Sequence, residues 1–276
     1  MQPRWRAFLL LLLGSAAPAH AAPGDVHLTF GNPSQAKDDP TDRTNFLMIK
    51  DQFALSYNDK KGTPNWVSYR LRRQDMGRAP RGIFFPDDEL PRGFYPVRPG
   101  DYHFLRTGMS RGHLCPNGHR NNTEANARAT FVMTNMVPQT EELNAGAWNE
   151  QEIWCRDQCF DNNKELWIVC GPHGVGGRSD KGFFKSIGDG RVVVPKSCWK
   201  VILVLDAGGK SPQARVTKRT PLIAVVMPND RTPEKRPWTH YVVSAADVEA
   251  LTGYVFFDRA APDVIGPLKK QVWSER

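Results

Sequence analysis

The residues best suited to chemistry lie between positions 107 and 156. His113 sits in the run TGMSRGHLCPNGHR, between Arg111-Gly112 and Leu114-Cys115-Pro116. A neutral imidazole accepts a proton from water at physiological pH. An isolated histidine near a turn is more often structural, but its two neighbours change that weighting. Gly112 removes a side chain, so that backbone or substrate can approach closely. Arg111 brings a permanent cation suited to a carboxylate or phosphate. Further on, Asn144, Trp148, Glu152 and Arg156 recur every four residues. Each step drifts only about 40° around a helix, so the four form one slowly winding stripe. The ordinary reading of such a stripe is a solvated face with an i,i+4 Glu–Arg pair. It also offers an amide oxygen, a carboxylate and a guanidinium to one ligand. On a straight helix Asn144 and Glu152 stand about 12 Å apart, too far for both to hold one small ion directly. If Asn144 binds a metal, Glu152 acts through water. A neutral amide with several waters suits Mg²⁺ and not zinc, which takes histidine or thiolate. The chemistry implied is metal-dependent phosphodiester hydrolysis. His113 deprotonates water, the hydroxide attacks phosphorus in line, and the cation stabilises the pentacoordinate charge and the leaving oxygen. Arg156 and an arginine from residues 72–98 add positive charge.

The elements that must position these groups are read from periodicity. Thr130–Val137 is an apolar strand candidate, antiparallel to the strand carrying His113 and ended by Pro138. Residues from Glu141 onward have helical spacing, with Leu143, Ala147, Trp148, Ile153 and Cys155 apolar. The unit reads as strand, loop (117–129), strand, helix. Phe46–Tyr57 and Trp66–Leu71 alternate in the manner of an antiparallel meander around the turn at 58–62. Glu165–Cys170, Val192–Val194, Trp199–Leu205 and Leu222–Met227 are further strands, with a turn at 206–209 between two of them. A helix is predicted from Ser244 to a stop at Gly253. Gly171–Gly190 is rich in glycine but lacks the context of a phosphate loop, and is expected to be a mobile surface loop. Strands dominate, so the class is α+β with a mainly antiparallel central sheet.

The chain has 276 residues, 40% of them hydrophobic, enough for a sizeable core. Residues 1–21 read as a secretory signal: Arg4 and Arg6, the apolar run Ala7–Leu13, and the small-x-small site Ala19-His20-Ala21. Residues 22–45 are expected to be an extended, polar segment, and 46–276 the folded domain. No later stretch approaches the length of a membrane helix, so no stable membrane insertion is expected after cleavage, and the destination is periplasmic or secreted. The formal charge of +8 falls to +6 without Arg4 and Arg6, which suits a polyanion such as nucleic acid. Between residues 72 and 101 five prolines exclude a long helix, and the segment carries Arg72, Arg73, Arg78, Arg81, Arg92 and Arg98. The five cysteines include no CxxC pair, so a structural zinc site is a weak reading; disulfide connectivity stays open, as do a homodimer and an inhibitor protein.

The ordered set RGHLCP, TNMVPQ and N-x₇-E-x₃-R resembles the DNA/RNA non-specific endonucleases of the ββα-metal (His-Me finger) superfamily. That family includes secreted bacterial and cyanobacterial nucleases and the endonuclease G group. The similarity extends over about residues 64–260, through PNWVSYRL, VPKSCWKVILVLD, AVVMPND and LTGYVFF. The resemblance implies an exported enzyme that hydrolyses DNA and RNA to 5′-phosphate ends, with His113 as general base and Asn144 as sole protein ligand of one hydrated Mg²⁺ or Mn²⁺. It implies that Glu152 orients water on that ion, that Arg156 contacts the scissile phosphate or the leaving group, and that Arg81, with Arg78 as the alternative, is the loop arginine. Asn135 supports the geometry. Ser110 departs from the family's Asp-Arg-Gly-His signature, removing a charge. His119 stands where an acid is usual and is read as a spare loop histidine. The Ser110 replacement is the one feature favouring a catalytically silent nucleic-acid-binding relative; an envelope-polymer binder would need only the charge.

Overall fold

The computed structural model describes residues 23–274; the leader expected at residues 1–21 lies outside them. The chain forms β1 (Phe46–Ile49), β2 (Ala54–Asn58) and β3 (Thr63–Leu71), then β4 (Met109–His113), β5 (Met136–Thr140) and β6 (Lys164–His173). Four short strands follow, β7 (Gly177–Ser179), β8 (Gly182–Phe184), β9 (Ser186–Ile187) and β10 (Val192–Val193), and then β11 (Ser197–Asp206), β12 (Leu222–Pro228) and β13 (Val242–Val243). The helices are α1 (Phe104–Thr107), α2 (Glu124–Ala129), α3 (Glu141–Ala145), α4 (Ala147–Phe160), α5 (Pro212–Arg215), α6 (Ala245–Thr252) and α7 (Pro262–Lys269).

The central sheet has seven strands in the order β1-β2-β3-β6-β11-β12-β13, antiparallel at every pairing. This is the α+β class expected from the sequence. Strand alternation divides the side chains between two buried layers. One layer holds Tyr69, Ile168, Cys170, Cys198 and Ile202 with Trp148 and Cys155 of α4. The other holds Trp66, Trp167, Trp199 and Val201 with Val248 of α6 and Ile265 of α7. The sheet is therefore the floor under α4, and α4 carries Glu152 and Arg156. All five cysteines are buried and unpaired.

Several local expectations are corrected. The N-terminal segment is not extended: it begins in a 3-10 helix, Pro23–Leu28, and buries Leu28, Phe30 and Ala36 against the sheet. Few residues of this segment are apolar, but they coincide with one face of the sheet. The strand expected at Thr130–Val137 is shifted: Met133–Asn135 is a 3-10 turn, and β5 runs to Thr140 with Pro138 inside it. A two-stranded ribbon leaves one edge of each strand unpaired, where a proline costs no ladder bond. The loop 117–129 contains a 3-10 turn and α2. Gly171–Gly190 forms two small ribbons, β7–β8 and the β9 half of β9–β10, rather than one open loop. The connection after Asp206 is longer than a turn and includes α5. By contrast, Ser244 and Asp247 form the capping box of α6, and Gly253 closes it in the left-handed region at φ 74°, as the sequence predicts.

The largest correction concerns the helix after Glu141. It breaks at Gly146, which has φ −91° and ψ −123°. A Cβ there would lie 2.3 Å from the carbonyl oxygen of Glu142 and 2.9 Å from that of Pro233. Backbone atoms cannot move aside as a flexible side chain can, so only glycine fits. Asn144 and Glu152 thus lie on two different helices, and the straight-helix separation does not apply. Gly146→Ala is expected to lower stability by about 1–3 kcal/mol, the usual cost of forced overpacking, measured as a reduced urea midpoint. An unchanged midpoint would show that the α3–α4 junction accepts a side chain.

Candidate active site

β4 and β5 form a separate antiparallel ribbon in which Ser110 faces Gln139, Gly112 faces Val137 and His113 faces Met136. The ribbon needs Gly112 for a reason the sequence does not show. A Cβ at Gly112 would lie 2.0 Å from Gln139 Oε1 and 2.4 Å from its Cδ. The space that glycine leaves is filled by the Gln139 side chain, not by substrate. Asn135, fully buried, fastens the chain just after His113: its Oδ1 accepts from the Cys115 N–H at 2.9 Å, and its Nδ2 donates to the carbonyls of Cys115 and Thr130, both at 2.8 Å. Asn229 fastens the other strand, donating to the carbonyls of Pro138 at 3.0 Å and Pro195 at 2.9 Å while accepting from the Thr140 N–H at 2.8 Å. Thr140 then caps α3 through the Leu143 N–H. Ribbon and helix are thereby joined end to end, which sets Asn144 relative to His113.

These elements enclose a cavity of about 520 Å³ lined by Arg78, Arg81, His113, Asn144, Glu152 and Arg156, with Asn117, His119 and Asn149 among its other walls. The structure thus gathers most of the sequence-predicted residues in one place. Of the six arginines in residues 72–101, only Arg78 and Arg81 reach it. Arg72 is paired with Asp75 at 2.9 Å, and Arg73 lies over Phe160. Arg81 lies over the Phe131 ring, 5.4 Å from its centroid. Arg156 donates to the Gly118 carbonyl at 3.3 Å.

The His113 ring packs between Phe84, at 5.5 Å between centroids, and Phe131, at 4.9 Å and nearly perpendicular. Its Nε2 is enclosed and has no hydrogen-bond partner among the described residues. Burial, and then the Arg81 guanidinium, hold its pKa down at about 3. The imidazole is therefore neutral at physiological pH. Glu152 moves in the other direction. Burial pushes its pKa up to about 7, opposed by the ammonium of Lys200 and by the Trp148 indole.

Three residues behave differently from their sequence reading. Arg111 is not a free cation for a phosphate. Its guanidinium donates to the Pro99 carbonyl at 2.7 and 3.2 Å and covers the Phe84 ring at 5.0 Å, bracing the 99–102 loop against the ribbon. It lines the adjoining cavity, together with Arg81, His113 and Asn144. His119 is not a spare loop histidine: it is fully buried, with Nδ1 3.1 Å from Tyr69 Oη and Nε2 3.0 Å from the Glu152 carbonyl. Ser110 is less of a loss than its missing charge suggests, because its hydroxyl donates to Glu141 Oε2 at 2.5 Å. A carboxylate therefore still stands at that edge of the site. Gln139 and Glu141, like Asn229, were not legible as site residues, because their roles depend on pairing register and on contacts across the fold.

The donor set agrees with a hydrated hard cation. Asn144 is partly exposed in both cavities, and its side chain has no hydrogen bond to another described residue. Its amide oxygen is the kind of neutral ligand that leaves Mg²⁺ most of its waters. A separate acidic group, Asp87, Asp88 and Glu89, brings carboxylate oxygens within 4.8 Å of one another and could hold a metal ion. The Lys50 ammonium already lies 3.0 Å from both Asp87 and Glu89, and this group lines a different cavity.

The sequence model of the DNA/RNA non-specific endonuclease family matches residues 31–263. Over 249 residues the chain is 41% identical to a protein named Nuclease from Nostoc sp., covering 90% of this chain and 86% of that one. It is 33% identical over 211 residues to the mitochondrial nuclease EXOG of Homo sapiens, covering 74% of this chain and 55% of that one. A solved structure titled as the EndoG/EndoGI complex superposes with a TM-score of 0.70 over 89% of this chain and 96% of that one, at 23% identity. That likeness is one of fold.

The raised pKa of Glu152 has a stability consequence. A proton binds this carboxyl more tightly in the folded state than in the unfolded chain. The stability it contributes is present below the unfolded value of 4.5 and is lost as pH rises through about 7. Glu152→Gln is therefore expected to raise the thermal midpoint at pH 8 and leave it unchanged at pH 4. Equal effects at both pH values would contradict a strained carboxylate.

Proposed function

The chain belongs to the DNA/RNA non-specific endonuclease family, and on that premise we propose that it cleaves both nucleic acids at the His113–Asn144 cavity by metal-assisted attack of water on phosphorus. Membership makes it a hydrolase acting on nucleic acids; the site supports the finer reading. Asn144 would hold one hydrated Mg²⁺ or Mn²⁺. When bound, such an ion supplies positive charge to the phosphate and to the departing oxygen.

The chain's own residues do the rest. His113 takes the proton from the attacking water. With Nε2 enclosed between aromatic rings, we assign the proton of the neutral imidazole to Nε2, facing the Phe131 ring, which leaves the Nδ1 lone pair for the water. The Cys115 clamp by Asn135 and the ribbon register keep that nitrogen in place. Arg81, Arg78 and Arg156 receive the phosphate oxygens, and guanidinium groups suit that geometry. Glu152, in its ionised form above about pH 7, orients water by accepting a hydrogen bond. In-line attack with departure of the 3′ oxygen leaves a 5′-phosphate. Phosphate contacts of this kind read no sequence.

Export is part of the same proposal, supported by the basic, apolar and small-residue pattern of positions 4–21. Among the described residues no helix is long and apolar enough to cross a membrane. Secretion or retention in the periplasm both follow from that pattern.

The observation that carries this reading is the convergence of His113, Asn144, Glu152, Arg156 and two loop arginines on one cavity. It is tested with purified residues 23–276, plasmid DNA and RNA, in Mg²⁺ or EDTA, beside His113→Ala. Both substrates should be degraded only with the metal, and the mutant should be slower by at least ~100-fold, the scale of general-base catalysis. A metal-dependent wild type matched by the mutant would remove His113 from the mechanism.

A further inference from the structure

Lys200 is the least expected buried residue in the molecule. It lies on β11 with no solvent exposure, and its Nζ has no hydrogen-bond partner among the described residues. Strand alternation places it on the same face as Cys198 and Ile202, in the layer packed under α4. Its ammonium lies 4.0 Å from the centre of the Trp148 ring. Trp148 is itself buried, and its indole N–H donates to the His113 carbonyl at 3.3 Å. Glu152 lies one helical turn further along α4, and the indole helps to hold its pKa down against burial.

A buried ammonium is costly, and even where it attracts a carboxylate, as Lys200 does Glu152, replacing the charge by an apolar side chain of similar shape is often neutral or stabilising. Stability alone therefore gives little reason for a lysine in this place. The contacts give another. A desolvated cation on an indole face is attracted to the ring quadrupole, and it fixes the plane of the ring. The plane of the ring fixes the direction of its one N–H, and that N–H donates to the His113 carbonyl.

We propose that Lys200 is a positioning residue for cleavage: from the sheet beneath α4 it holds the Trp148 indole, and through it the placement of His113 against α4, the helix that carries Glu152. The proposal rests on the reading of His113 and Glu152 given above. Lys200 is buried away from substrate; it acts through the Trp148 ring, and its charge also favours the ionised form of Glu152.

The experiment uses the chain from residue 23 with Lys200→Met, Trp148→Phe and the double substitution, measuring thermal midpoint, kcat and KM on plasmid DNA in Mg²⁺. Methionine keeps the length of the side chain and removes the charge; phenylalanine keeps a ring and removes the N–H. Lys200→Met should melt at or above the wild-type temperature, with kcat reduced about tenfold and KM within about twofold. Trp148→Phe alone should also lower kcat, and the double variant should be no slower than the slower single one, as expected when two residues act through one contact. Wild-type kcat in either single variant would overturn the proposal. So would a double variant whose loss is the product of the single losses, or a kcat that falls only in proportion to folded protein. An inactive wild type would refute the nuclease reading instead, so the two failures are distinguishable.

Discussion

The site depends on one close approach, that of the Gln139 side chain to the bare backbone of Gly112. The bare backbone of Gly112 makes room for the buried Gln139 side chain, where β4 pairs with β5 in a single register. A slip of one residue would turn every side chain of the ribbon to its other face, removing His113 from the cavity. Everything that shapes the site is attached to this ribbon. Asn135 secures the chain beyond His113, Asn229 secures β5 to the main sheet, and Thr140 passes the ribbon directly into α3 and Asn144. The break at Gly146 then lets α4 start in a new direction, so that Glu152 and Arg156 face the same cavity from a second helix.

Charge is distributed unevenly over this frame. His113, Asn144, Glu152 and Arg156 are partly buried, and Arg78 and Arg81 are exposed. Burial keeps His113 neutral, with a free lone pair, well above its lowered pKa, and brings the titration of Glu152 close to neutrality. Arg78 and Arg81 stand on the outside of an irregular segment, where their charge can meet a polyanion before it reaches the cavity. Other cations are engaged elsewhere: Arg72 by Asp75, Arg73 over Phe160, and Arg111 of β4 by backbone carbonyls. A basic net charge is thus a poor guide to which arginines line the cavity.

The sequence makes much of the site legible because its chemistry lies in a short ordered set of residues. His113, Asn144, Glu152 and Arg156 are found from type and spacing, and the antiparallel sheet from alternation. The failures have a common physical cause, contacts between residues remote in sequence. Pro138 looks like a strand terminator until its strand proves to be half of an isolated ribbon. Gly146 looks like an ordinary residue in a helical run until the Pro233 carbonyl closes on it. His119 and Arg111 look available until the groups that occupy them arrive from Tyr69, the Glu152 backbone and the 99–102 loop. Lys200 leaves a trace in sequence, a charge at a core-facing place in the apolar strand SCWKVILVLD, but what it faces is decided by how α4 crosses the sheet.

In the mechanism proposed above, Asn144, on its own short helix, holds the cation and His113 is the base. Mn²⁺ binding to wild type, Asn144→Ala and His113→Ala, followed by electron paramagnetic resonance, tests it most directly, because it separates binding from cleavage. Expected is one Mn²⁺ per chain in wild type and in His113→Ala, with that binding lost in Asn144→Ala. Undiminished Mn²⁺ binding by Asn144→Ala would contradict the assignment and move the cation to other ligands, the carboxylates of Asp87, Asp88 and Glu89 first among them.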